Sequence, residues 1–85
     1  MSEDLQAKIT DIQARFANDL MEKAHVVGVG VGMAKVSGEY TQEMALIVMV
    51  EQKIPEAELD PQDQIPHTIE GVRVDVQEVG TIQTF

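Results

Sequence analysis

The chain has 85 residues, with 15 acidic against 6 basic side chains and a formal net charge of −9; that is one domain's worth of polypeptide, too short for two hydrophobic cores. It contains no cysteine, which removes disulfides, thiolate metal sites and cysteine nucleophiles and fits a reducing cytoplasm. Without a cluster of Lys or Arg to displace counterions, nucleic acid and anionic membrane surfaces are poor partners.

The start, Met1-Ser2-Glu3-Asp4, is acidic and polar, and no apolar run approaches the about 18 residues that a membrane span needs. A cytoplasmic location is expected. From there Leu5, Ile9, Ile12, Phe16 and Leu20 recur at spacings of four and three, an apolar stripe on one helical face. Ser2 suits an N-cap, and Glu3 and Asp4 sit where the helix dipole favours negative charge. The spacing predicts a helix from about residue 3 to 23, roughly 30 Å long. Its opposite face, with Lys8, Asp11, Arg15, Asn18 and Glu22, should be solvated.

The period then changes. In His25-Val26-Val27-Gly28-Val29-Gly30-Val31-Gly32-Met33 β-branched residues alternate with glycines, which predicts a strand over about 26–36. Val27, Val29, Val31 and Met33 occupy one face and Gly28, Gly30 and Gly32 the other. Glycines weaken a strand unless something approaches closely, and the amphipathic helix is the simplest occupant of that glycine face. Ser37-Gly38-Glu39-Tyr40-Thr41 supplies a turn of several residues. The run Met44-Ala45-Leu46-Ile47-Val48-Met49-Val50 predicts a central strand over about 43–51, buried on both faces.

Pro55, Pro61 and Pro66 punctuate the next connection, where Pro55 can open one short helical turn through Glu56-Ala57-Glu58-Leu59. Val72, Val74 and Val76 alternate with Arg73, Asp75 and Gln77, an edge-like strand over about 68–79 with one wet face. The alternation fails at Val79, so a bulge or the strand's end lies near Glu78. Gly80-Thr81-Ile82-Gln83-Thr84-Phe85 is weakly patterned.

The fold expected is α+β over residues 1–85 as a single domain, with an N-terminal amphipathic helix packed on a three-stranded mixed sheet in the order α-β-β-short helical turn-β. One helix covers one side of such a sheet, yet Ala45, Ile47 and Met49 oppose Leu46, Val48 and Val50 across the second strand. Burying each such side chain is worth roughly 1.5–3 kcal/mol, so the second side needs a cover. The occupants weighed are the connection carrying Ile54, Leu59 and Ile65, a second protomer, or a neighbouring domain. A homo-oligomer or other protein partner is the expectation, with Val27, Val29, Val31, Met33, Ala45, Ile47 and Met49 as packing or interface residues and Gly28, Gly30 and Gly32 as a glycine packing face.

Catalytic chemistry is harder to find. Gly28-Val29-Gly30-Val31-Gly32 lacks the G-x-G-x-x-G spacing and the strand-to-helix turn of a dinucleotide loop, and no P-loop Lys-Ser/Thr follows. His25 and His67 are not at helical metal-ligand spacing. Glu56, Glu58, Asp60 and Asp63 match an EF-hand only in charge. Neither serine lies in G-x-S-x-G. The reading is a non-catalytic interaction module without cofactor or metal; the alternative is a small-ligand domain using the glycine-rich strand or the proline-rich loop.

Several stretches occur in a characteristic order: His25-Val26-Val27-Gly28-Val29-Gly30-Val31-Gly32, Ser37-Gly38-Glu39-Tyr40-Thr41, Ala45-Leu46-Ile47-Val48-Met49-Val50-Glu51-Gln52-Lys53-Ile54-Pro55, Ile65-Pro66 and Ile69-Glu70-Gly71-Val72-Arg73-Val74-Asp75-Val76-Gln77-Glu78-Val79-Gly80. Over about residues 25–80 the chain resembles the small N-terminal region that precedes the trypsin-like peptidase domain in a group of bacterial proteins, with distant relatives among plant narrow-leaf-type proteins. The resemblance implies a non-catalytic accessory unit. It carries over no nucleophile, base or oxyanion hole, because the peptidase domain is absent from these residues.

Overall fold

A computed structural model describes residues 2–80, with side chains from residue 4 onward. It has α+β architecture. Helix α1 (Ser2–Met21) precedes strands β1 (Val26–Val36), β2 (Glu39–Val50), β3 (Thr68–Ile69) and β4 (Val72–Glu78), with two 3-10 turns, Glu56–Glu58 and Pro61–Asp63, in the connection from β2 to β3. The strand order is β1-β2-β4-β3. The sheet is mixed: β1 and β2 are antiparallel, β2 and β4 parallel, β3 and β4 antiparallel.

Four strands replace the three expected. The last segment breaks at Glu70-Gly71, where both residues have positive φ (51° and 82°), the backbone of a tight two-residue hairpin turn. Thr68–Ile69 thereby folds back to pair Thr68 with Arg73 and Ile69 with Val72. The first hairpin is also tighter than expected, since Ser37 and Gly38 alone form its turn at φ 53° and 83° and β2 begins at Glu39. As the break in alternation at Val79 anticipated, β4 ends at Glu78. Helix α1 stops at Met21, so Lys23 and His25 fall in the following loop. Residues 81–85, read above as a weakly patterned tail, lie outside the described residues.

The helix lies on the valine face, not on the glycine face. Ile9, Ile12 and Leu20 pack in one buried cluster with Val26, Leu46, Val48, Val50, Val72 and Val74, and Phe16, Val29 and Val31 border it. Glycine has no side chain to offer an amphipathic helix, whereas Val29 and Val31 present branched surface. A bulge between Val26 and Gly28 sets the register: Val26 is buried in the core, while Val27, the extra residue, is half-buried.

Candidate functional site

The opposite face of the sheet is built from its registers. Gly28 is paired with Met49, Gly30 with Ile47 and Gly32 with Ala45, and partners in register share a face. The glycines are therefore hollows into which β2 side chains lean. A methyl group at Gly28 would come within 2.8 Å of the Met49 terminal methyl, and one at Gly32 within 3.2 Å of the Ile47 side chain. Ala34, Ala45 and Ile47 are buried there in a second small cluster, with Met49 packed against them.

A curled hairpin closes this face. The Lys35 N–H donates to Asp75 Oδ2 at 2.9 Å, and Gln77 Nε2 donates to the Met33 carbonyl at 3.2 Å and to Asp75 Oδ2 at 2.9 Å. In a flat sheet β1 and β4, on either side of β2, would stand about 9.5 Å apart, too far for an aspartate side chain and one hydrogen bond. The end of the β1–β2 hairpin must therefore curl across Ala45 toward β4. An irregularity in the β1–β2 register between Met33 and Lys35 permits the bend. There the Thr41 hydroxyl donates to the Ala34 carbonyl and accepts the Glu43 N–H.

Val29 and Val31 border the core under α1, and Val27 is half-buried at a bulge. Met33 is 41 % exposed at the rim. Ala45, Ile47 and Met49 share the second face with Gly28, Gly30 and Gly32. The chain itself buries Ala45 and Ile47, so the cover their burial required is met internally. Asp75 and Gln77 are the polar staples of this face; their place in an alternating strand marks them only as wet.

The second feature is a groove beyond β4. Its volume is about 460 Å³, and it runs between residues 73–76 and the proline-rich connection. Ile54, Pro55, Leu59, Ile65 and Pro66 give it apolar walls, with Lys53, His67 and Arg73 at the margins. The connection is held in place at the foot of the helix: Asp63 Oδ1 accepts the Ala24 N–H at 3.0 Å, and Lys23 Nζ donates to the Gln62 carbonyl at 2.7 Å.

Backbone direction makes this groove a sheet edge. The Val74 N–H points away from β2 and donates to the His67 carbonyl at 2.9 Å, while the Val79 N–H points inward to the Val50 carbonyl at 2.8 Å. Because strand amides alternate in direction, the Val74 carbonyl, both Val76 groups and the Glu78 N–H also point outward. Among the described residues β3 pairs only with Val72 and Arg73, and no strand lies along the side of residues 74–78 that faces away from β2.

The titratable groups are distributed rather than convergent. His25 lies 3.4 Å from Glu51, and His67 Nε2 lies 2.9 Å from Glu56. Arg15 is clamped by both oxygens of Glu70, at 2.6 and 2.8 Å, and by Asp11 at 2.9 Å. The guanidinium holds the Glu70 carboxyl below its ordinary range, and the paired carboxylates push Arg15 further up. Among the described residues no group of three or more His, Cys, Asp or Glu side chains is placed to hold a metal ion, and no helix is long and apolar enough to cross a membrane. No protein-family model matches the chain, and no curated protein is significantly similar to it.

Proposed function

We propose that the chain is a non-catalytic accessory module that binds an extended segment of a protein partner along the outer edge of β4. The supporting observation is the row of outward-directed backbone groups from Val74 to Glu78 beside an apolar groove. Extended peptides dock on such edges by main-chain hydrogen bonds, with side chains entering adjoining pockets. Resemblance to the region ahead of trypsin-like peptidase domains supplies the partner class: a segment of a peptidase-like protein. A cytoplasmic setting belongs to the same proposal.

Selection from a random peptide library, followed by amide-shift mapping, tests this reading. Bound peptides should perturb Val74, Val76 and Ile65, and Val76→Pro, which removes an outward N–H, should abolish binding. Perturbations confined to the glycine face, or affinity unchanged in Val76→Pro, would sink it.

A second reading rests on the groove's volume, within the roughly 300–1,000 Å³ of small-ligand sites, and on Lys53 and Arg73 in its lining, which also holds Glu56 and Asp75. A small organic carboxylate would suit it. Carboxylate binding that survives Val76→Pro but fails in Arg73→Gln would favour this reading over strand addition.

A further inference from the structure

We infer that the outer edge of β1, together with the adjoining flank of α1, pairs with the same surface of a second copy of this chain. The inference rests on reading the chain as an interaction module, but it uses the opposite edge of the sheet from the β4 groove.

Three observations converge on it. First, β1 is an edge strand of 11 residues, and from Val26 through Ala34 it contains neither charge nor proline. Edge strands are ordinarily blunted by such residues, and a long apolar edge without them is a template for pairing. Among the described residues, Val29 is the one whose carbonyl accepts an α1 side chain, taking a 2.9 Å hydrogen bond from Gln13 Nε2. That bond shows that Val29 turns its backbone groups away from β2, and alternation turns those of Val31 outward too.

Second, the outward groups are self-complementary. About a two-fold axis through Val31, an antiparallel copy would exchange N–H and carbonyl bonds between the two Val31 residues, the pairing being centred there because the Met33 carbonyl is already taken by Gln77. Met33, 41 % exposed on one chain, would then lie against Val29 of the second copy.

Third, charge selects the partner. Helix α1 has two unlike flanks beside its buried stripe. Lys8, Asp11, Arg15 and Glu22 lie on the side where Arg15 reaches Glu70. On the side where Gln13 reaches β1, the 3.6-residue turn places Gln6, Thr10, Ala14, Ala17 and Met21, an uncharged strip with Asp11 at its border beside Ala7 and Ala14. On a chain of net charge −9, most surfaces repel a second copy. The strip from Gln6 to Met21, with the uncharged stretch of β1 beside it, meets its own image with the fewest opposing like charges.

Three helical residues advance about 4.5 Å and two strand residues about 6.6 Å. With Gln13 beside Val29, Thr10 therefore stands within about 2 Å of the level of Val31, near the two-fold axis. Sedimentation across concentration should show a reversible dimer that tightens as salt screens the overall repulsion. Thr10→Glu sets like charges against each other and should weaken dimerisation at least about tenfold; Met33→Lys should do the same. Asn18→Glu, on the charged flank, should have no such effect, nor should Val76→Pro at the other edge, so the two proposals fail separately. Circular dichroism confirms that each variant is folded, and the Val31 amide should exchange more slowly as protein concentration rises. A wild-type chain monomeric at millimolar concentration, or a dimer indifferent to both Thr10→Glu and Met33→Lys, overturns the inference.

Discussion

Gly30 and Gly32 differ in what stands above them. An added methyl at Gly30 would lie 3.8 Å from the Met49 terminal methyl, ordinary contact, whereas at Gly32 it would press to 3.2 Å on a buried isoleucine. Neither glycine has positive φ, so backbone strain does not enter. Gly30→Ala should stabilise the fold by about 0.5 kcal/mol, by restricting the unfolded chain. Gly32→Ala should cost about 1 kcal/mol, as overpacking. Urea denaturation of the two variants checks the opposite signs. The Arg15–Glu70 clamp makes a separate prediction, in pH. Because the folded-state Glu70 carboxyl titrates below its ordinary value, the clamp's contribution is complete above the unfolded pKa of about 4.3. It is lost as pH falls through the lowered folded-state value. Glu70→Gln should therefore be less stable than wild type at neutral pH and indistinguishable from it near the acid limit, as denaturation at several pH values would show.

At the scale of elements, Asp75 joins two strands that are not neighbours in the sheet. Asp75→Ala leaves the Lys35 N–H without its acceptor and the Gln77 amide with the Met33 carbonyl alone, and loss of such partly buried bonds costs about 1–3 kcal/mol. The loss should be local: the Lys35 amide should exchange faster, with the β1–β2 ladder near Gly30 less affected. The sequence disclosed the helix, the hairpin and the apolar β2 because each writes its own period. It did not disclose which face of β1 the helix would take, because alternation defines two faces without ranking them. The Glu70-Gly71 turn was hidden for a related reason: glutamate is an uncommon residue at positive φ, so the segment read as one strand. The curl of the hairpin and the β4 edge groove depend on pairing between distant residues, which local patterning does not encode.

At the scale of the whole molecule, the two lids on the sheet have different origins. One is the amphipathic helix; the other is the hairpin's own bent end, helped by hollows at the glycines. Cutting a core contact on the helix side should be the more damaging. Leu46→Ala, at a fully buried site in the larger cluster, should cost about 2–5 kcal/mol. Met49→Ala, half-buried on the glycine side, should cost less in the same denaturation experiment. The parallel pairing of β2 with β4 has a further consequence, in time. The β1–β2 hairpin forms from adjacent segments, but β4 can reach its place only after the whole proline-rich connection has looped back, and such non-local pairing is slow. Until then the most apolar stretch of the chain is an uncapped border. During synthesis or refolding, crowded copies would compete with β4 for that border, so yield on dilution from denaturant should fall steeply with protein concentration.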